Sequence, residues 1–268
     1  MTDPQAATPR TGSAAPDERA VAARGGVKIG GASVAYTAIL AALVAVMALI
    51  PASIVVGGMG GGWPLHDVIH ATVGMLLGPI AGPIASGVGT VLGGVIAPHT
   101  NLGPWGFLLG AGNAFAVAMT LMPGKSRWYV PFGIVLVLNV IYFFQCTAYG
   151  IPVGLWFSNV FTVQVALVLI AIPQIRNWAI DRIRTGGVSV QTYLAFLVVC
   201  FFGSTAGAQM LWVIGFATNP WPAEVWTVLV FIIFVERTAF AAVAAMIAVG
   251  VVRALRRSAI ARAEMAGY

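Results

Sequence analysis

The sequence predicts an all-α membrane protein, a polytopic transmembrane bundle of about eight helices with both termini in the cytoplasm. Hydrophobic residues make up 59% of the 268 residues and charged residues only 8%, whereas soluble domains have roughly 45–50% and about 25%. Several apolar runs are close to the roughly 20 residues that a spanning helix needs. Basic residues occur in short groups beside these runs, which is typical of topology signals.

Six apolar runs have the length of a spanning helix: 33–56, 105–122, 129–149, 152–175, 190–217 and 225–252. The stretch 65–97 is too long for one ordinary span and is interrupted by Gly78, Pro79, Gly82 and Pro83. We expect it to form two short helices, 65–77 and 80–97. A re-entrant hairpin that stays on the outer face is the alternative.

Charge placement supports an even number of crossings for this stretch. Basic groups precede the first span, follow Met122 and Ile175, and close the chain, and such groups favour the cytoplasm. A single crossing by 65–97 would put Lys125 and Arg127 outside. We therefore predict a disordered cytoplasmic tail at 1–30, a transmembrane bundle at 31–254 and a cytoplasmic C-terminal tail at 255–268.

The excess of basic over acidic residues does not indicate a nucleic-acid-binding protein. The net charge of +6 comes from residues that flank apolar runs, and no basic patch is interleaved with base-stacking aromatic residues. Cys146 and Cys200 lie inside apolar runs, where free cysteine behaves as a small hydrophobic residue. We expect no cofactor, no structural metal and no nucleic-acid partner.

The candidate site lies between Pro64 and Pro104, a segment that contains all three histidines of the chain. Ionisable groups next to a bilayer are costly and are often functional. His66 and His70 are four residues apart and share one face of a helix; Asp67 lies between them, and His99 follows the glycine-rich stretch. We place all four near the outer surface.

Three interpretations of this polar cluster remain open at this stage. A metal ion would need three or four ligands, and only Asp67 and the distant His99 complete the histidine pair. An organic solute would be held by hydrogen bonds. In the third interpretation the histidines cap a helix and meet interfacial water, without any ligand.

Three further residues are candidate solute contacts. Trp63 and Trp105 flank the histidine segment and either stack on an aromatic or cationic solute or anchor helices at the interface. Asn113 lies in the next helix.

In the last span, Glu236 and Arg237 are expected to pair with each other or with another helix, because pairing offsets the cost of burying charge.

The stretch HDVIHATVGMLLGPIAGPIASGVGTVLGGVIAP, followed by a helix containing Asn113, resembles the second to fourth helices of substrate-binding S components of energy-coupling factor (ECF) transporters. Those proteins have an acidic or polar opening to a short helix, then a Gly-Pro pair with a glycine four residues after the first. Asp67, Gly78, Pro79 and Gly82 match that pattern. The stripe of small residues after Gly78 is otherwise a helix-packing signal.

The first helix adds a second similarity, because Ala38 and Ala42 form a small-xxx-small pair that overlaps with Ala41 and Ala45. In ECF transporters such alanines pack against the transmembrane coupling subunit. The resemblance implies a non-enzymatic bundle in a prokaryotic plasma membrane. It would capture a vitamin-like or other small solute at its outer face and depend on a coupling subunit and separate ATPase subunits.

The chain also departs from the family. S components usually have six helices, and the Met-His ligand pair of the cobalt and nickel members has no counterpart near Met1. The main alternative is a non-catalytic structural subunit of a larger membrane complex. A metal-ion uptake component is a further alternative, as is a membrane enzyme that uses His66, Asp67 and His70 as acid and base groups.

Overall fold

The fold is an all-α bundle, as the sequence predicts. The computed structural model describes residues 27–53, 62–124, 126–218, 223–258, 260 and 262–268, with the backbone alone at 223–231. The predicted tail at 1–30 therefore lies almost entirely outside the described residues.

Eight α-helices occur in the described part of the chain. In chain order they are α1 (Val34–Met47), α2 (His70–Ile96), α3 (Phe107–Leu121), α4 (Tyr129–Ala148), α5 (Val153–Ala171), α6 (Pro173–Thr185), α7 (Val190–Thr218) and α8 (Ala223–Arg256). By length and composition alone, α2, α4, α5, α7 and the Ile232–Arg256 part of α8 could cross a membrane, while α1 and α3 are apolar but shorter; α2 is bent near its middle, as described below.

Two short antiparallel hairpins accompany the helices. Strand β1 (Lys28–Ile29) pairs with β2 (Ala32–Ser33) before α1, and β3 (Pro51–Ser53) pairs with β4 (Trp63–Pro64) after it. A 3₁₀ turn at Leu65–Val68 then leads into α2.

Helix α2 is broken at Gly78, where φ is 81° and ψ is −172°. This backbone conformation is essentially restricted to glycine, and the proline that follows cannot donate a backbone hydrogen bond. A Cβ atom built on Gly82 would lie 2.9 Å from the Cα atom of Gly74, although positions eight apart on a straight helix are separated by about 12 Å. The two segments, 70–77 and 79–96, therefore fold back on each other, which confirms the predicted pair of short helices.

We call one end of the bundle the basic end. It contains Lys28, the Gly78 bend, helix α6 and the residues after Arg256. Lys28 Nζ lies 2.7 Å from Glu264 Oε1, and the backbone N–H of Gly267 donates to the carbonyl of Met75 at 2.8 Å. Among the described lysines and arginines, only Arg237 lies away from this end.

The opposite end, the loop end, contains the β3–β4 hairpin and the connection between α2 and α3. The N–H of Leu65 donates to the carbonyl of Ile50 at 2.9 Å, and that of Gly62 donates to the carbonyl of His99 at 3.0 Å. The segment 65–97 thus starts and finishes at the loop end and turns at the basic end. This path agrees with an even number of crossings; which end faces the cytoplasm stays a prediction.

Two sequence-based boundaries were wrong. The first span was expected over 33–56, but α1 ends at Met47 and Pro51 already belongs to a strand; residues 54–61 lie outside the described part. The fourth was expected over 152–175, but α5 ends at Ala171 and Pro173 begins the separate helix α6. The residue before a proline favours extended backbone, and Ile172 has ψ of 111°.

Helix α7 forms the centre of the bundle and contacts α3, α4, α5, α6 and α8. Glycines allow α3 to approach it closely, since a Cβ atom on Gly207 would clash with the carbonyl oxygen of Leu109. Large apolar side chains are exposed on α1, on the second segment of α2, on α4 and on α5. Such extensive apolar exposure is expected of surfaces that face lipid.

The residues after Arg256 pack against the bundle. Ala263, Ala266 and Tyr268 are buried, and a Cβ atom on Gly78 would lie 2.7 Å from the Cβ atom of Met265. The sequence contains no pattern that indicates this packing.

Candidate functional site

A cavity of about 290 Å³ opens at the loop end, and we call it the loop-end pocket. The second segment of α2 supplies one wall, with Thr90 among its polar groups. The connection from Thr100 to Gly106 and the start of α3 supply the rest, and His66 also lines the cavity. Within the described part of the chain, histidine is the only ionisable residue type in this lining.

Side-chain hydrogen bonds hold the connecting loop over the pocket. Asn101 accepts a hydrogen bond from the backbone N–H of Gly103 at 2.9 Å and donates one to the carbonyl of Gly94 at 3.3 Å. Thr100 donates to the carbonyl of Ala48 at 2.6 Å. The pocket wall is thereby tied to the ends of α1 and α2, which provides a preformed cavity.

His66 and His70 form an adjacent buried pair, as their spacing predicts. Their exposed fractions are 1% and 0%, and their ring centroids are 4.9 Å apart with the rings tilted by 53°. His70 lies against α3, where a Cβ atom on Gly110 would come within 2.7 Å of its Cε1 atom. Only His66 lines the pocket, so His70 forms a second layer behind it.

The histidine rings hold unused hydrogen-bonding capacity. Among the described residues, neither ring nitrogen of His70 has a hydrogen-bond partner. The carbonyl of Val44 faces the ring of His66 without reaching hydrogen-bond geometry. Buried polar groups are normally paired with protein, water or ligand, so the ring of His66, which lines the pocket, is suited to receive a polar molecule.

Asp67 is part of a buried charge cluster that reaches across the bundle to α8. Its Oδ2 atom accepts hydrogen bonds from Arg237 at 2.8 Å and from the indole of Trp63 at 2.9 Å. Arg237 also binds Glu236 at 3.2 Å and stacks over Trp63, with its Cζ atom 4.5 Å from the ring centroid. The predicted pairing of Glu236 and Arg237 is confirmed, and Asp67 is the interhelical partner.

In this arrangement Asp67 and Trp63 have a structural role. One carboxylate oxygen of Asp67 is occupied twice, while Oδ1 has no partner among the described residues. The Trp63 ring is buried and covered by a cation. Both residues therefore hold the start of α2 against α8.

The other candidate contacts lie apart from the pocket lining. His99 is exposed, with Nε2 3.2 Å from the carbonyl oxygen of Leu49. Trp105 donates to Thr218 at 3.1 Å, and Asn113 is buried where α3 meets Gly203 and Gly207 of α7. No three His, Cys, Asp or Glu side chains among the described residues are grouped closely enough to hold a metal ion.

Three polar residues of the pocket lining, Thr90, Thr100 and Asn101, were not predicted from the sequence. A usable signal was present, because an asparagine two residues before a glycine often forms a side-chain turn. Thr90 lies four residues after Ser86 and donates to its carbonyl at 2.8 Å, so it belongs to the small-residue face of α2 that the sequence marks for packing.

The alanines of α1 separate into an outer and an inner pair. Ala38 and Ala42 are exposed, whereas Ala41 and Ala45 are buried. A Cβ atom on Gly89 would lie 2.6 Å from the carbonyl oxygen of Ala41, so the inner pair packs on α2. The outer pair is the part of this motif that remains free for another helix or for lipid.

Comparisons with known protein families, curated proteins and solved structures find no match to this chain.

Proposed function

We propose that this chain is the membrane-embedded solute-binding subunit of an ECF-type uptake transporter in a prokaryotic plasma membrane. The observation that carries the proposal is the buried imidazole of His66 in a preformed pocket of about 290 Å³ at the loop end. Ligand sites are typically concave and mostly apolar, with a few convergent polar groups. The loop-end pocket has these properties.

The pocket chemistry supports a small solute with few polar groups. Thr90 and Asn101 share the lining with apolar side chains that include Val95 and Phe107. The cavity is at the small end of the roughly 300–1,000 Å³ range of ligand pockets. A compact vitamin-like molecule fits this chemistry, with His66 as its principal hydrogen-bonding partner.

The first experiment compares His66→Ala with His99→Ala. Each full-length variant is purified, and the solute that it retains is identified and quantified by mass spectrometry of an organic extract. Loss of the His66 imidazole should weaken retention at least about fivefold, corresponding to about 1 kcal/mol for one lost hydrogen bond. His99→Ala should retain the wild-type amount, because His99 does not line the pocket. Equal retention by His66→Ala and the wild type would contradict the proposal.

The exposed alanines of α1 supply the proposed contact with the coupling subunit. Close helix packing requires small residues, so Ala38→Leu and Ala42→Leu should reduce co-purification of the coupling and ATPase subunits without reducing solute retention. Ala148→Leu, at an exposed alanine of α4, is the matched control. Normal complex yield in both α1 variants would remove this contact surface. Co-purification with unrelated membrane proteins and no retained solute would favour the structural-subunit alternative.

A further inference from the structure

A second cavity, of about 350 Å³, lies at the basic end, and we call it the arginine pocket. It is formed where the α6–α7 connection meets the last turns of α8. Its polar side chains are those of Thr192, Arg253, Arg256 and Arg257, and Gly187 also lines it. This cavity is separate from the loop-end pocket and is not used by the proposed function.

The three arginines of this pocket have different roles. Arg256 donates to the backbone carbonyls of Ile183, Arg184 and Gly186, so its guanidinium fastens the α6–α7 connection to α8. Arg253 and Arg257 are exposed, and neither has a hydrogen bond or ion pair within the described residues. No acidic side chain lines the pocket in that part of the chain. Two cationic groups are therefore available for an anion.

The floor of the arginine pocket is apolar. Phe196 and Val252 are almost fully buried beneath it, and Val249 completes this surface. Thr192 adds a hydroxyl group that lies 3.0 Å from Ser189 Oγ at the start of α7. The pocket thus combines guanidinium groups at its rim with a hydrocarbon floor, at the end of two helices that are long enough to span a bilayer.

We propose that the arginine pocket binds the phosphate headgroup of an anionic phospholipid. Arg253 and Arg257 would contact the phosphate, because guanidinium groups pair well with phosphate oxygens. The first carbons of the lipid would lie on the apolar floor, and its acyl chains would continue along the exposed apolar helix faces. A soluble phosphate compound would use the same guanidinium groups but would gain little from that floor.

The matched control is Arg182, which is exposed on α6 at the same end of the bundle but does not line the pocket. Arg182→Gln removes the same charge as Arg253→Gln or Arg257→Gln. If the arginines serve only to orient the chain in the membrane, all three variants should behave alike.

The test uses the full chain in micelles of a non-ionic detergent titrated with phosphatidylglycerol, with bound lipid counted by native mass spectrometry. Each of Arg253→Gln and Arg257→Gln should lower the affinity for phosphatidylglycerol about fivefold, the effect of about 1 kcal/mol per basic residue near an anionic lipid surface. Arg182→Gln should leave the affinity unchanged. An equal loss in Arg182→Gln, or no loss in the pocket variants, would overturn the proposal.

A second pair of variants keeps every arginine in place. A Cβ atom on Gly187 meets no atom within 4 Å, so the position accepts a side chain. Gly187→Glu should lower the affinity for phosphatidylglycerol about fivefold by offsetting one of the rim charges, whereas the similarly sized Gly187→Gln should retain most of it. Equal binding by the two variants would contradict a charge-selective site.

Competition separates the lipid from a soluble source of phosphate. Millimolar inorganic phosphate or glycerol 3-phosphate should not displace phosphatidylglycerol from the wild-type protein. Displacement by either compound would show that the pocket serves a soluble phosphate ligand, and the lipid assignment would then be wrong.

Discussion

At the residue scale, Arg237 holds together the most deeply buried charges that the structure describes. Asp67 and Glu236 both bind it, and the side chains of Arg237 and Asp67 are only 3% and 0% exposed. The three formal charges leave one negative charge in excess. Removing the cation would leave two buried carboxylates unpaired, whereas removing the Glu236 charge would balance the remaining pair.

This asymmetry predicts opposite outcomes for neighbouring substitutions. Arg237→Gln should lower the free energy of unfolding by about 3–5 kcal/mol, the usual cost of breaking a buried ion pair from one side. Glu236→Gln should be nearly neutral or stabilising. Thermal unfolding in detergent measures both effects, and a Glu236→Gln variant as unstable as Arg237→Gln would contradict this account of the cluster.

Contacts between residues that are close in the sequence could be predicted, but contacts between residues that are far apart could not. The contact between His66 and His70 could be predicted because four residues make about one helical turn. The bond between Arg237 and Asp67 joins positions 170 apart, and nothing near Asp67 in the sequence indicates its partner. For the same reason the pocket residue Asn101 was missed, since its contribution depends on a loop conformation.

At the scale of single elements, the break in α2 determines how the site is built. The first segment carries His70 and follows directly from the turn that holds His66, while the second carries Thr90. The bend at Gly78 brings these segments side by side. The Gly-Pro pair makes this break predictable, whereas Pro173, which starts α6, lies inside an apolar run of spanning length, so the sequence does not reveal the boundary there.

Two glycines of α2 give a matched test of the bend. Gly78→Ala should destabilise the protein by at least about 1–3 kcal/mol, because its backbone conformation is costly for other residues and the added methyl group would meet Met265. Gly87→Ala should be neutral or stabilising by up to about 1 kcal/mol from helix propensity, since its Cβ atom would make only ordinary contacts, the nearest at 3.6 Å. Thermal unfolding in detergent measures both variants. If Gly87→Ala lowered the stability as much as Gly78→Ala, the bend would be contradicted.

At the scale of the whole molecule, the distribution of basic residues matches the path of the chain. Their positions in the sequence predict that the basic clusters share one side of a membrane, and the described clusters do meet at one end of the bundle. The docking of residues 262–268 onto the α2 bend was not predictable, because small residues such as Gly267 show their packing role only once Met75 and Leu121 are in place.

Cysteine labelling tests the orientation of this path. His99 and Ser126 are exposed at opposite ends, while the native Cys146 and Cys200 are buried and should react slowly. A membrane-impermeant thiol reagent added to intact cells should label His99→Cys and leave Ser126→Cys unlabelled. The reverse pattern would mean either an inverted orientation or a single crossing by 65–97, and labelling of both would contradict a crossing by α3, which lies between the two positions.

Asp67 and Arg237 are 170 positions apart, so the aspartate is synthesised well before its partner. At roughly 5–20 residues per second, a ribosome needs about 10–30 s to reach the arginine after it has made the aspartate. Throughout that interval the short segment formed by the 3₁₀ turn and the start of α2 carries the unpaired carboxylate of Asp67, and lipid cannot neutralise it. We therefore expect this segment to stay in a hydrated environment, at the membrane surface or within the insertion machinery, until α8 emerges. Stalled chains truncated before Arg237 should leave Asp67 accessible to water, and chains extended beyond α8 should bury it.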